Sequence, residues 1–169
     1  SNITQRPLNL SGSRAYDATR TASGSDLSFT NIVSGETLGL TGSGVLDSPA
    51  AGSRTIVNTN TLAISDGSGI ASNYTLTNGT LTMTIVPRST TVSGTKTYDG
   101  TTNVASSNLT SFSNLAGSDT LSLSGTGTIS SADVGTGKTV NTSGLTIDNS
   151  SGVGSNYTLS AATVNVTER

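Results

Sequence analysis

The chain has 169 residues and a formal net charge of −2, and its eight scattered cations disfavour binding to nucleic acid or to an anionic membrane surface. It contains no Cys and no His, which excludes disulfides, thiol chemistry and the commonest general base, so we expect no enzyme. Charged residues make up only 11%, and the Ser, Thr, Gly and Asn that replace them indicate a polar, weakly ionic surface around a small core.

The chain consists of two copies of one unit. The stretch SNYTL occurs at 72–76 and again at 155–159, which is an offset of 83 residues (155 minus 72). The stretch ETLGLTGSG at 36–44 aligns with DTLSLSGTG at 119–127 at the same offset. An internal repeat of this length predicts that one fold is used twice.

In chain order, the first feature of each copy is a strand that ends in Tyr-Asp, within SRAYDATRT at 13–21 and TKTYDGTTN at 95–103. The offset here is 82 (98 minus 16), so the second copy gains one residue after this turn. We expect both tyrosines to pack into the core at the strand end, because aromatic rings bury the most area per residue. The six aromatic residues of the chain form three matched pairs, Tyr16/Tyr98, Phe29/Phe112 and Tyr74/Tyr157.

The acid that follows the tyrosine, Asp17 or Asp99, is expected to cap the turn through its carboxylate. The next residue differs between the copies, being Ala18 in the first and Gly100 in the second. Because alanine is strained at positive φ, we expect a negative φ at this position in both copies.

Further along each copy, apolar and polar residues alternate, which is typical of strands that bury one face. The matched apolar residues are Leu38/Leu121, Leu40/Leu123, Val57/Val140, Leu62/Leu145 and Ile64/Ile147, and Leu81-x-Met83-x-Ile85 ends the first copy. The pattern predicts six or seven short strands per copy and an all-β fold of two tandem immunoglobulin-like β-sandwich modules. The alternative is a β-grasp-like module with one short helix, for which 103–111 is the candidate segment.

The boundary between the copies is expected near Ile85-Val86-Pro87-Arg88, which gives domains at 1–87 and 88–169. No Gly/Ser-rich tether separates the copies, and the single proline restricts bending. Strands of about ten residues at about 3.3 Å each would make one unit roughly 35 Å long. Two such units would form a short rod if the termini of each unit lie at opposite ends.

Two loops, SDGSG at 65–69 and IDNSSG at 147–152, carry oxygen donors that Ca²⁺ could use. The candidate ligands are Asp66, Asp148 and Asn149. Because Asp66 aligns with Asn149 rather than with an acid, turn formation is the favoured interpretation, and we expect no cofactor.

Two other matched pairs contain polar side chains. Glu36 and Asp119 would suggest a hydrolase only if they met the acids of the turn in space, and a role at a strand start is the favoured interpretation. Asn73 and Asn156 lie in Asn-x-Thr sequons, and hydrogen bonding to the backbone in a turn is favoured over glycosylation.

Four stretches of the second copy occur together in one order and resemble the YDG repeat, and through it the mostly bacterial immunoglobulin-like (MBG) modules. They are TYDGTTN at 97–103, DTLSLSG at 119–125, VGTGKTV at 134–140 and GLTI…SNYTL at 144–159. The first copy departs from this pattern at Ala18, and Lys138 aligns there with Thr55.

The resemblance implies a role in large, filamentous-haemagglutinin-like bacterial adhesins, as stalk repeats at the cell surface or in a secreted protein. The implied partners are neighbouring repeats of the same chain, while host or biofilm glycans would be bound by other domains, and the segment would be a monomer. The alternative function is a repeated carbohydrate- or host-protein-binding module, for which Tyr74 and Tyr157 are the candidate aromatic contacts.

Overall fold

The computed structural model describes residues 1–169, which divide into two compact units, Ser1–Val86 (unit 1) and Pro87–Arg169 (unit 2). The prediction of an all-β fold is confirmed, because both units are built from strands and the only helices are four 3-10 turns of three residues. None of these helices has the length and apolar character needed to span a membrane.

Unit 1 contains ten strands, more than the six or seven expected, because several of its strands are interrupted. They are β1 (Arg6–Pro7), β2 (Leu10–Ala15), β3 (Thr21–Ser23), β4 (Leu27–Phe29), β5 (Leu38–Thr41), β6 (Ser43–Leu46), β7 (Gly52–Asn58), β8 (Ala63–Asp66), β9 (Tyr74–Thr75) and β10 (Thr82–Val86). One sheet has the order β3-β6-β7-β10-β2-β4, while β1 pairs with β9 and β5 pairs with β8.

Unit 2 contains seven strands, which agrees with the expected number. They are β11 (Arg88–Thr97), β12 (Asn103–Ala105), β13 (Leu109–Phe112), β14 (Leu121–Thr128), β15 (Gly135–Thr139), β16 (Leu145–Asn149) and β17 (Tyr157–Thr167). They form a four-stranded sheet of order β13-β11-β17-β15 and a three-stranded sheet of order β12-β14-β16.

The beginning and the end of each unit run parallel and side by side, and in unit 2 they are the two middle strands of the larger sheet. In unit 2, β11 pairs with β17 over ten positions, from Arg88 opposite Tyr157 to Thr97 opposite Thr167. In unit 1 this pairing is divided, since β1 pairs with β9 and β2 pairs with β10. Each unit is therefore consistent with a β-sandwich, but the central parallel pair differs from the antiparallel sheets of the immunoglobulin scheme.

The short helical turn of the alternative fold is also present. It occupies Ser106–Asn108, inside the candidate segment 103–111, and unit 1 has its counterpart at Gly24–Asp26. The first strand lies directly against this turn, because a Cβ added to Gly94 would come within 1.6 Å of the Asn108 carbonyl oxygen. No α-helix crosses the sheet, so only this part of the β-grasp expectation is met.

The core of unit 2 lies between its two sheets, because both sheets contribute buried residues. These residues are Val92, Val104, Leu109, Ile129, Val140, Ala162, Val164 and Val166. In unit 1 the alternation predicted for the last strand is confirmed, with Leu81, Met83 and Ile85 all buried. Burial of such side chains contributes about 25 cal/mol per Å² of apolar surface removed from water.

The predicted pairing of Val57 with Val140 is wrong. Val57 is 63% exposed, whereas Val140 is buried. The cause is a bulge in β7, where Val45 lies opposite Asn58 and Leu46 lies opposite Ile56, so that Val57 has no partner on β6. Ile56 is buried instead and donates its backbone N–H to the Leu81 carbonyl oxygen, just before β10, as Val140 donates to Ala162 in β17.

The constant offset between the copies also fails at the last strand. Ile85 lies opposite Arg14 in unit 1, and Val166 lies opposite Lys96 in unit 2, so the offset there is 81 (166 minus 85). Unit 1 carries two additional residues in the turn at 77–80, between β9 and β10, where β17 of unit 2 is continuous.

Candidate functional sites

The Tyr-Asp turn of unit 2 is built around a buried cation. The Lys96 side chain is 3% exposed, and its Nζ donates to the Thr101 carbonyl oxygen at 2.9 Å and to the Asn103 carbonyl oxygen at 2.6 Å. The same ammonium lies 2.8 Å from Asp99 Oδ1, which also accepts the Thr101 backbone N–H at 2.9 Å. The expected carboxylate cap is therefore present, and the lysine below it completes the turn.

Unit 1 has the same arrangement with arginine in place of lysine. Asp17 Oδ1 accepts the Thr19 backbone N–H at 2.8 Å and lies 2.9 Å from Arg14 Nη1. The Arg14 guanidinium also donates to the carbonyl oxygens of Thr19 and Thr21. Sequence comparison missed this cation because Arg14 and Lys96 differ in type, although a search for a cation three residues before each turn acid would have found both.

The same oversight affects the second lysine. Lys138 aligns with Thr55 in the sequence, but its structural counterpart is Arg54, because Arg54 lies opposite Met83 in β10 as Lys138 lies opposite Val164 in β17. Arg54 Nη2 donates to the Ala51 carbonyl oxygen at 2.8 Å. Lys138 Nζ likewise donates to backbone carbonyls of the preceding loop, so both units use a cation to close this loop.

The expectation of a negative φ after the turn acid is wrong. Ala18 has φ of +66° and Gly100 has φ of +76°, so both copies use the left-handed conformation. The Asp cap and the cation therefore hold an alanine in a region that L-residues rarely occupy, at a cost of about 1–2 kcal/mol. The sequence could not show this, because alanine at that position was itself the reason to expect the opposite sign.

The two tyrosines that precede the turn have different environments. Tyr16 is 5% exposed and belongs to the core, as expected. Tyr98 is 42% exposed, so the prediction that it packs into the core of unit 2 is wrong. The side chains of Phe29 and Phe112 are each half-buried.

The electrostatic effect of the turn is strongest on Asp99. The hydrogen bond from Lys96 and those from the Thr101 N–H and hydroxyl lower the pKa of Asp99 from 3.8 to about 2. The carboxylate is therefore ionised throughout the physiological range, and it acts as an acceptor rather than as a proton donor.

The second repeated arrangement is a buried tyrosine bonded to an acid. Tyr157 is 6% exposed, and its hydroxyl donates to Asp119 Oδ2 at 2.6 Å while accepting the Ala116 backbone N–H at 3.0 Å. These two contacts hold the loop that follows β13 against the end of the unit. Tyr157 is therefore not exposed, whereas the alternative binding module requires an exposed aromatic contact.

Tyr74 of unit 1 makes the equivalent contact. It is 4% exposed, and its hydroxyl donates to Glu36 Oε2. This hydrogen bond is the main reason that the pKa of Tyr74 is raised above 10.0, and burial adds to the effect. Glu36 and Asp119 therefore serve as acceptors for core tyrosines, a role that their position at a strand start did not reveal, and neither is bonded to an acid of the Tyr-Asp turn.

The asparagines of the SNYTL motif close the 3-10 turn in front of each tyrosine. The backbone N–H of Asn73 donates to the Ile70 carbonyl oxygen, and that of Asn156 donates to the Val153 carbonyl oxygen, both at 3.0 Å. Asn156 is 5% exposed, whereas Asn73 is exposed. The main-chain N–H thus makes the same contact in both units.

The candidate calcium loops use their oxygens within the protein. Asp66 Oδ1 accepts the Ala71 backbone N–H at 2.7 Å, and Asn149 Oδ1 accepts the Gly154 backbone N–H at 2.8 Å. Asp148 is half-buried beside Asn149. No group of three acidic side chains in the chain is placed to share a metal ion.

An additional matched contact joins the first strand of each unit to the loop after β4 or β13. Arg6 Nε donates to the Asn31 carbonyl oxygen at 2.9 Å, and Arg88 Nε donates to the Asn114 carbonyl oxygen at 2.7 Å. From the sequence, Arg88 was considered only as part of the boundary between the copies and Arg6 was assigned no role, so this matched contact was not predicted.

Each unit also has a matched surface hollow beside its half-buried phenylalanine. Its apolar walls are Phe29, Leu38 and Leu40 in unit 1 and Phe112, Leu121 and Leu123 in unit 2. Both hollows are open to solvent. Glu36 is the one charged residue that lines them, and it already accepts a hydrogen bond from the Tyr74 hydroxyl.

The comparisons with known proteins give one family. The YDG domain family matches residues 3–85 and 79–164, so that almost the whole chain is covered by two successive matches. No curated protein and no solved structure matches the chain.

Proposed function

Because the chain belongs to the YDG domain family, we propose that its units are spacer repeats of a large bacterial adhesin. This adhesin is extracellular, either at the cell surface or secreted, and the repeats hold a distal binding region away from the cell. The proposed role is mechanical and does not include catalysis.

The observation that carries this proposal is the parallel pairing of the first and last strands. Two parallel neighbours start at the same edge of a sheet and end at the same opposite edge. The start of β11 at Arg88 and the end of β17 at Thr167 are therefore at opposite ends of unit 2, about 33 Å apart for ten residues at about 3.3 Å. A unit with this arrangement adds its full strand length to the chain that contains it.

The roles of the matched residues support the same proposal. The recurring cation, acid and tyrosine contacts are made within one unit and bond to its own backbone or core. A repeated ligand site would instead leave matched polar and aromatic groups exposed together. Tyr74 and Tyr157, the candidates for such a site, are buried.

An exchange experiment separates a spacer from a binding module. The two-unit segment would be replaced in its parent protein by an unrelated repeat domain of similar length, and adhesion of the cells would be measured. A spacer predicts that adhesion is retained after the exchange and falls when the segment is deleted without replacement. Loss of adhesion in the length-matched exchange would instead favour a binding site within these units.

Antibodies against the two-unit chain test the location. Labelling of intact, unpermeabilised cells or recovery of the antigen from the culture medium is expected. Labelling that requires permeabilisation would contradict an extracellular spacer.

A further inference from the structure

We propose that the parallel pair of first and last strands is the force-bearing element of each unit, and that unit 2 withstands a higher force than unit 1. The inference rests on the spacer function, under which tension enters each unit through its two ends. It goes beyond that function because it assigns the resistance to particular strands and ranks the two units.

The direction of loading follows from the topology of unit 2. Tension on the preceding chain pulls β11 from its start at Arg88, while tension on the following chain pulls β17 from its end at Thr167. Because the strands are parallel, these pulls slide one strand along the other in opposite directions. The hydrogen bonds between them, which run across the strands, are then loaded together rather than broken one after another from one end.

The pair in unit 2 is continuous and enclosed. Ten positions of β11 face β17 with one irregularity, between Thr90 and Thr91, and the last contact is the Tyr98 N–H to the Thr167 carbonyl oxygen at 2.9 Å. The larger sheet continues on both sides, with β13 beside β11 and β15 beside β17. Val92 and Val164 are each 1% exposed, so sliding of the pair would also disrupt the core.

The pair in unit 1 is divided into two short blocks. β1 faces β9 over two positions and β2 faces β10 over three, with a single bridge between Leu10 and Leu81. The division coincides with the additional turn at 77–80, in which Asn78 has φ of +63°. Fewer hydrogen bonds thus share the load, and we expect this unit to yield first.

Single-molecule pulling of the two-unit chain from its N and C termini tests the inference. The units contain 86 and 83 residues (169 minus 86), so two unfolding events of nearly equal length are expected, at clearly different forces. Equal forces for the two events would overturn the inference, while the spacer proposal would still be decided separately by the adhesion experiment.

Exchange of the turn between the units identifies the responsible segment. Replacing Ser160–Ala161 of unit 2 by the unit 1 sequence Thr-Asn-Gly-Thr divides its parallel pair, and the high-force event is expected to be lost. The reciprocal replacement of 77–80 by Ser-Ala joins the pair in unit 1, and two high-force events are expected. If the first variant does not fold, as judged by circular dichroism, the gain in the reciprocal variant decides the question.

A core variant outside the pair provides the control. Val104 in β12 is fully buried and belongs to the other sheet, so Val104→Ala should lower the urea midpoint of unit 2. In this variant, unit 2 is still expected to unfold at a clearly higher force than unit 1. If Val104→Ala abolishes the high-force event as the exchange does, or if both exchanges leave the forces unchanged, the inference is wrong.

Discussion

The residue after the turn acid has a left-handed conformation in both units, and it is Ala18 in unit 1 but Gly100 in unit 2. Reverse substitutions at this position should therefore change the stability of the two units in opposite directions. Ala18→Gly should stabilise unit 1 by about 1 kcal/mol, since the relief of left-handed strain exceeds the added entropy of the unfolded chain. Gly100→Ala should destabilise unit 2 by about the same amount. Urea unfolding of the chain, followed at the transition of the altered unit, measures both, and shifts of the same sign would contradict the shared turn geometry.

Protonation of one residue in the same turn should destabilise unit 2 in acid. The pKa of Asp99 is lowered to about 2, so its contribution to stability is fully present above the unfolded value of 3.8 and is lost as the pH falls through about 2. Asp99→Asn lacks this contribution at every pH. The difference in urea midpoint between parent and variant should therefore be largest near pH 6 and shrink towards pH 2, and a constant difference would show that the carboxylate charge is not involved.

At the scale of the elements, a tyrosine late in the sequence of each unit hydrogen-bonds to the loop that precedes β5 in unit 1 or β14 in unit 2. Tyr157→Phe should cost about 1–3 kcal/mol, because the buried Ala116 N–H and the Asp119 carboxylate each lose a hydrogen bond. Tyr98→Phe is the matched control, since Tyr98 is exposed and its loss should stay within about 0.5 kcal/mol. Urea unfolding compares the two variants, and equal losses would mean that the Tyr157 hydroxyl contributes nothing specific.

Strands could be predicted from the sequence, but the way they pair could not. Alternation in Leu81-x-Met83-x-Ile85 identified a strand and its buried face, because side chains in a strand point alternately to opposite sides. The same alternation does not identify which strand lies alongside, so the parallel pairing of first and last strands was not foreseen. Insertions such as the turn at 77–80 moved the register by whole residues, and a constant offset between the copies could not follow them.

The candidate sites were predictable to a similar extent. The turn acids Asp17 and Asp99 were identified because aspartate caps turns through its own side chain. The cations below them were not, because an arginine and a lysine provide the same donors to the same carbonyls while differing in sequence. The sign of φ was missed since the acid cap and the cation together hold a strained alanine, which no local rule predicts.

On the scale of the whole molecule, the chain contains two copies of a module, and the residues that recur in both copies maintain the fold. The chain has no cysteine, so pairs of introduced cysteines can be labelled without background and distances can be measured between chosen sites. The proposed role depends on the parallel arrangement of β11 and β17, because that arrangement places the entry and the exit of a unit at opposite ends.

The most direct measurement is the distance between spin labels at Ser89→Cys and Glu168→Cys in the intact chain. Both sites are exposed, and Ser89 lies opposite Thr158 at the start of the pair. Glu168 follows the last residue of β17 and lies ten residues after Thr158, which at about 3.3 Å per residue gives a predicted distance of about 33 Å from Ser89. A narrow distribution near that value is expected, whereas a distance of about 10 Å, as in an antiparallel pair, would contradict both the topology and the spacer function that rests on it.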